Sequence, residues 1–127
     1  GVELLLDLPG QEITVYTDPT RLSQVINNLV NNAIKFTSEG NIRIGYRPAA
    51  SGYVNIFVED TGTGMSREVL EHIFDRFYKG DSFKQGTGLG LSICKTIVKR
   101  FEGKIEVTST PGKGTCFTIT LPLKVEE

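Results

Sequence analysis

Between Pro19 and Phe36 the apolar residues Leu22, Val25, Ile26, Leu29 and Ala33 recur at intervals of three and four. At about 100° per residue they fall on one broad helical face. Pro19 suits a first helical turn and Asp18 is a good N-cap, so a helix is predicted to begin there. Elsewhere the period is two. Val2, Leu4, Leu6 and Leu8 alternate with Glu3, Leu5 and Asp7, Ile13 and Val15 alternate over residues 13–17, and Pro9-Gly10 marks the turn between them. Two strands are therefore expected before the helix. After a break at Ser38-Glu39-Gly40, Ile42, Ile44 and Tyr46 alternate again, and residues 53–60 form the next strand beyond a turn over residues 48–52. Ser66, with Glu68 close behind, opens a short helix bearing Val69, Leu70, Ile73 and Phe74. A longer helical pattern resumes at Leu89, carries Cys94, Ile97, Val98 and Phe101, and is expected to stop on Gly103 as a C′ glycine. Ile105 and Val107, then Phe117, Ile119 and Leu121, mark two last strands around the turn Pro111-Gly112-Lys113-Gly114.

Strands that alternate present one apolar and one polar face, whereas strands covered on both sides are apolar throughout. The expected fold class is thus α/β, a two-layer sandwich in which a mixed sheet carries about three helices on one face. With 127 residues, 39% of them hydrophobic, the chain has room for one domain, residues 1–127, and a real core. A formal charge of −1 and a pI near 5.9 argue against a nucleic-acid surface. No apolar run approaches a membrane span, so no direct membrane contact and a cytoplasmic location are expected, with any inner-membrane anchor outside this chain. Gly1 reads as a cloning remnant, and the chain as a piece of a longer protein. Cys94 and Cys116 have no paired metal-ligand spacing around them and are expected to be small buried hydrophobes.

Three polar features do not fit a purely structural reading. Asn28, Asn32 and Lys35 are spaced i, i+4, i+7, forming a stripe about 60° wide beside the apolar face. Such a stripe on a generic helix is a solvated face. Here four asparagines (Asn27, Asn28, Asn31, Asn32) occupy one helix although Asn is a poor helix former. A ligand bearing negative charge and a metal ion would account for the mixture, since amide oxygens are hard ligands and Lys binds phosphate as a point charge. Asp60 shares strand parity with Val54, Ile56 and Val58 and so points to the core. An inward carboxylate must find donors. Backbone amides of the next turn could supply them, and so could the amino group of a purine lying against Gly62 and Gly64. Lastly, Gly86-Thr87-Gly88-Leu89-Gly90-Leu91-Ser92 is a glycine-rich loop entering a helix, a favourable setting for phosphate. It follows the polar, aperiodic residues 79–88, which read as a mobile loop, and not a strand, so the dinucleotide fingerprint does not fit. Gly112-Lys113-Gly114-Thr115 lacks the leading glycine of a P-loop and sits in a hairpin turn.

In order along the chain, Asn28-Leu29-Val30-Asn31-Asn32-Ala33-Ile34-Lys35-Phe36 resembles the N box of sensor histidine kinases. Asp60-Thr61-Gly62-Thr63-Gly64 resembles their first glycine box, Phe74-Asp75-Arg76-Phe77-Tyr78-Lys79 their F box, and Gly86-Thr87-Gly88-Leu89-Gly90 their second glycine box. The four motifs cover essentially the whole chain and resemble the catalytic, ATP-binding domain of the GHKL superfamily.

That resemblance implies a Bergerat-type fold and an ATP lying between the first helix and a lid. Asp60 would bind the adenine amino group, Phe36 would lie against the ring with Ile73 and Leu91 near the pocket, and Thr118 would be a further contact. Asn32 resembles the family's magnesium ligand, Asn28 its support and Lys35 a phosphate contact, while Lys79, Lys84 and Gln85 are lid candidates for the γ-phosphate. Phe74 and Phe77 fit equally as core residues fastening the base of the lid. In the ATP-hydrolysing branches a Glu stands where Asn28 stands, and Asn28 cannot take a proton at neutral pH, which favours phosphoryl transfer over hydrolysis. The implied partners are a helical dimerisation and phosphoacceptor domain, absent here, and a response-regulator receiver domain. The fragment is expected to be monomeric. His72, the single histidine, lacks the context of an acceptor. A nucleotide-responsive interaction module and an anti-sigma-type serine kinase are the alternatives within the same fold.

Overall fold

A computed structural model describes residues 2–8, 10, 17–50, 52–75 and 90–123. Along the chain these are β1 (Val2–Asp7), α1 (Pro19–Phe36), β2 (Gly40–Pro48), β3 (Tyr53–Asp60), α2 (Arg67–His72), α3 (Gly90–Arg100), β4 (Lys104–Thr110) and β5 (Gly114–Pro122). The five strands form one sheet in the order β1-β2-β3-β5-β4. β1 runs parallel to β2 and every other pair is antiparallel, so the sheet is mixed as the alternation implied. Residues 13–16 of the strand expected before α1 lie outside the described residues.

Register explains where the core sits. Ile42 pairs with Asp60, Val58 with Phe117 and Ile56 with Ile119, so the apolar positions of three strands line one face. α1 packs against that face at β3, α3 against β4, and the two helices against each other. Val25, Leu29, Cys94, Val98 and Ile119 are fully buried at this junction. The caps follow the residues. The Asp18 carboxylate accepts from the N–H groups of Thr20 (2.9 Å) and Arg21 (3.3 Å), and the Ser66 hydroxyl accepts from the Val69 N–H.

Three local expectations change. α3 ends in a Schellman arrangement, with the Gly103 N–H on the Val98 carbonyl and the Glu102 N–H on the Lys99 carbonyl. The C′ residue is therefore Glu102, at φ 61°, and Gly103 stands one place later. A Cβ at Gly103 would overlap the Thr120 carbonyl, which is why the glycine is needed there instead. The second change concerns β1. It is an edge strand, and Val2, Leu4, Leu6 and Leu8 are exposed although they share the face of Ile42 and Ile44. What fastens β1 is charge on the opposite face. Asp7 pairs with Arg47 and, at 3.6 Å, with Arg43, while Arg43 reaches Glu59 at 3.4 Å and Arg47 lies over the Phe57 ring. Third, Cys116 is half-buried on that helix-free face, whereas Cys94 is fully buried, and both thiols are free.

Because Phe117 fills the centre of the sheet, Phe117→Ala should cost roughly 3–5 kcal/mol, against roughly 0.5–2 kcal/mol for the cap change Asp18→Ala. Urea unfolding of the two variants measures both, and a cap effect equal to the core effect would contradict this account.

Candidate functional site

Asp60 closes β3 facing the helix layer and is 5% exposed. Its Oδ1 accepts from the Gly62 N–H at 2.8 Å, and the Thr115 N–H also donates to the carboxylate. Burial nevertheless raises the Asp60 carboxyl above its ordinary 3.8, opposed by those two amides and by the Thr37 hydroxyl. Thr37 stands close enough to bias the carboxylate, yet its buried oxygen completes no hydrogen bond of ordinary geometry. A buried carboxylate and a buried hydroxyl thus stand side by side, and the hydroxyl has no hydrogen-bond partner of ordinary geometry.

The turn after Asp60 is locked from both sides. The Thr63 N–H donates to the Phe36 carbonyl at 3.0 Å, and the Thr63 carbonyl accepts from the Gly112 N–H at 2.7 Å. A Cβ on Gly62 would overlap the Phe36 carbonyl, and one on Gly64, at φ 72°, would overlap that of Thr110. Both glycines therefore serve the close approach of the protein's own backbone.

On α1 the four asparagines divide. Asn27 and Asn31 are exposed, Asn28 is half-buried and Asn32 is 8% exposed. The inward pair is the i, i+4 pair. Asn28 lines an open cleft of about 590 Å³ with Pro19, Thr20, Ser23, Gln24 and Asn27. Lys35 is exposed in the last turn, where the helix dipole favours a cation, and Phe36 beside it is half-buried. Ile73 and Leu91 are buried in the same core, and Gly90 begins α3. Phe74 meets Phe117 edge-on at 6.2 Å and carries Lys95 over its ring, a structural placement. His72 is exposed and pairs with Asp75 at 2.8 Å, as a surface residue would.

Thr118 is misplaced by the sequence reading. It pairs with Phe57 and Glu106, between the core residues Phe117 and Ile119, and so faces the helix-free side, away from Asp60's carboxylate. The threonine of correct parity is Thr115, directly opposite Asp60, with its hydroxyl 2.8 Å from Ser109. Thr37 was also missed, whereas Cys94 is the small buried core residue expected. The period-two pattern of β5 could have found Thr115, whereas no local pattern ties Thr37 to the site. Phe77, Lys79, Lys84, Gln85, Gly86, Thr87, Gly88 and Leu89 lie outside the described residues.

Residues 17–125 match the family model described as histidine kinase-, DNA gyrase B-, and HSP90-like ATPase. The catalytic domain of the histidine kinase ThkA, solved free of nucleotide, superposes with a TM-score of 0.84 at 32% identity, over 98% of this chain and 82% of that one. The chain belongs to this family. Full-length ShkA, solved in complex with AMPPNP, matches with a TM-score of 0.89 at 29% identity over 99% of this chain and 26% of that chain. The adaptive-response sensory kinase SasA of Crocosphaera subtropica is 42% identical over 126 residues, 97% of this chain and 33% of that protein. The chain therefore spans about a third of such a kinase and corresponds to its ATP-binding catalytic domain. No described helix is long and apolar enough to cross a membrane.

In this histidine-kinase ATP-binding domain the buried Asp60 weakens the fold that holds it. The folded protein binds the Asp60 proton more tightly than the unfolded chain does. Its contribution is consequently full below 3.8 and is lost as pH rises through the raised value. Asp60→Asn should flatten that limb of the stability curve measured by urea unfolding against pH. A decline that persists unchanged in the variant would assign it to other groups.

Proposed function

We propose that this single domain binds magnesium–ATP and, in the whole protein, donates the γ-phosphoryl group to a histidine on a separate helical dimerisation domain, from which a response-regulator receiver takes it. The observation that carries this reading is the inward amide pair Asn28 and Asn32 on α1, packed against the strand that ends in the buried Asp60. An ionised Asp60 accepts a hydrogen bond from an exocyclic amine and so selects adenine over guanine, whose corresponding position is a carbonyl. Thr37 supplies a nearby hydroxyl for the same edge or for a bridging water. Phe36, Ile73 and Leu91 give the ring an apolar surround, and Lys35 offers charge at the phosphate end.

Magnesium fits the amide oxygens of Asn32 and Asn28, and when bound it neutralises charge on the phosphate oxygens. Among the described residues no group of three His, Cys, Asp or Glu could hold a metal unaided. The cation is thus expected to arrive with the nucleotide's phosphates as its main ligands. Asn28 carries no basic group at neutral pH, so no side chain at that position activates water, in keeping with transfer to a separate acceptor. Lys79, Lys84 and Gln85 complete the phosphate contacts in this reading. The domain works as a cytoplasmic monomer whose dimerisation resides in the helical domain.

Calorimetric titration with a non-hydrolysable ATP analogue tests the assignment. Binding should favour adenine over guanine, strengthen with magnesium, and weaken as pH falls through the raised Asp60 value, because the protonated carboxyl no longer accepts. Asn32→Ala should reduce the magnesium-dependent affinity by at least about tenfold and abolish phosphoryl transfer to a supplied acceptor domain. Full transfer by that variant would sink the magnesium role, and nucleotide binding without any labelling of an acceptor would leave an interaction module.

A further inference from the structure

At the end of the sheet that carries the site, one row of residues crosses three strands. Asp60 on β3 stands opposite Thr115 on β5, and Thr115 stands opposite Ser109 on β4. Directly opposed residues have Cβ atoms about 4.5–5.5 Å apart, so neighbours in the row act on one another. Ser109 decides how. Its Oγ lies 2.9 Å from the Gly114 carbonyl oxygen and 2.8 Å from the Thr115 Oγ1, and it accepts from the Met65 N–H at 2.7 Å. A carbonyl can only accept, so the Gly114 contact takes the one proton that Ser109 has. Ser109 then meets the second hydroxyl as an acceptor, its two lone pairs filled by the Met65 N–H and the Thr115 O–H. The Thr115 proton is therefore spent. What Thr115 has left is lone pairs, and it is 5% exposed beside a residue whose ionised carboxylate likewise only accepts.

We propose that Ser109 is a positioning residue that fixes the Thr115 hydroxyl as an acceptor, so that Asp60 and Thr115 together present two acceptors to the edge of the base and select an amine over a carbonyl. This deepens the reading of Asp60 as the adenine contact and rests on it. An exocyclic amine carries a hydrogen for each acceptor, with Thr115 reached directly or through a water. A carbonyl in its place brings a third acceptor to the same spot and leaves buried lone pairs facing one another. A threonine by itself would not discriminate in this way, since a free hydroxyl turns to donate or to accept as its partner requires. Ser109 removes that choice, and it acts on the base only through Thr115.

The test compares, by calorimetric titration of the full chain with magnesium, a non-hydrolysable ATP analogue and its inosine counterpart, which has a carbonyl in place of the amine. The parent should prefer the adenine analogue. Ser109→Ala frees the Thr115 proton to turn toward the carbonyl, and the preference should fall by at least about fivefold, the effect of one buried unmatched polar group. Ser109→Thr keeps the hydroxyl and should hold the preference within about twofold of the parent. Thr115→Val removes the group that turns, so in that background Ser109→Ala should change the preference by less than about twofold. A purely structural role for Ser109 would weaken both analogues alike. An unchanged preference in Ser109→Ala, or the same fall in the Thr115→Val background, would overturn the proposal. In the nucleotide-free parent the Thr115 hydroxyl proton, donated inward, should exchange slowly with solvent by NMR. Exchange too fast to observe would overturn it too, so the proposal stays decidable should Ser109→Ala not fold. Failure of the underlying reading looks different. A parent that binds both analogues equally, or neither, refutes the adenine role of Asp60 and the selectivity with it, while slow hydroxyl exchange would still establish the Thr115–Ser109 bond.

Discussion

The site depends on the way α1 is packed. A helix turns 100° per residue, so the apolar stripe of Val25, Leu29 and Ala33 fixes the bearing of every other side chain on the same rod. Asn28 and Asn32 lie next to that stripe. Once Val25 and Leu29 are driven to zero exposure between the sheet and α3, Asn32 is carried into the interior and Asn28 to its edge, where it lines an open cleft. Packing that would be needed in any two-layer domain thus also performs the positioning of polar groups. Their low helix propensity is tolerated because tertiary burial, not intrinsic preference, holds α1.

A second constraint ties β3 to the same helix. The turn after Asp60 is bonded to the last carbonyl of α1, that of Phe36, through Thr63 and to the β4–β5 turn through Gly112, so the carboxylate and the amide edge belong to one hydrogen-bonded frame. The frame is costly at one point. Asp60 has two amide donors and still titrates above an ordinary carboxylate, because those donors do not replace the water it lost. Its partner Thr37 has an unspent hydroxyl in the same place. Unfilled polar capacity inside an otherwise apolar core is intelligible as preparation for a ligand that brings the missing donor.

Much of this was legible in the residues. Period two against period three-and-four separated strands from helices, Asp18 and Ser66 marked starts correctly, and parity sent Asp60 inward as found. What failed needed information from across the fold. Thr118 came from the family resemblance, and parity along β5, which the sequence does contain, would have pointed to Thr115 instead. Gly103 resembled a helix-ending glycine, yet its reason is a neighbouring strand's carbonyl that no local pattern announces. The leucines of β1 alternate as a core strand should and lie exposed, because alternation gives a strand two faces without saying how far the helices extend over them. Thr37, which follows the last turn of α1, carries no signal of its own, because the carboxylate it stands beside comes from a strand 23 positions later.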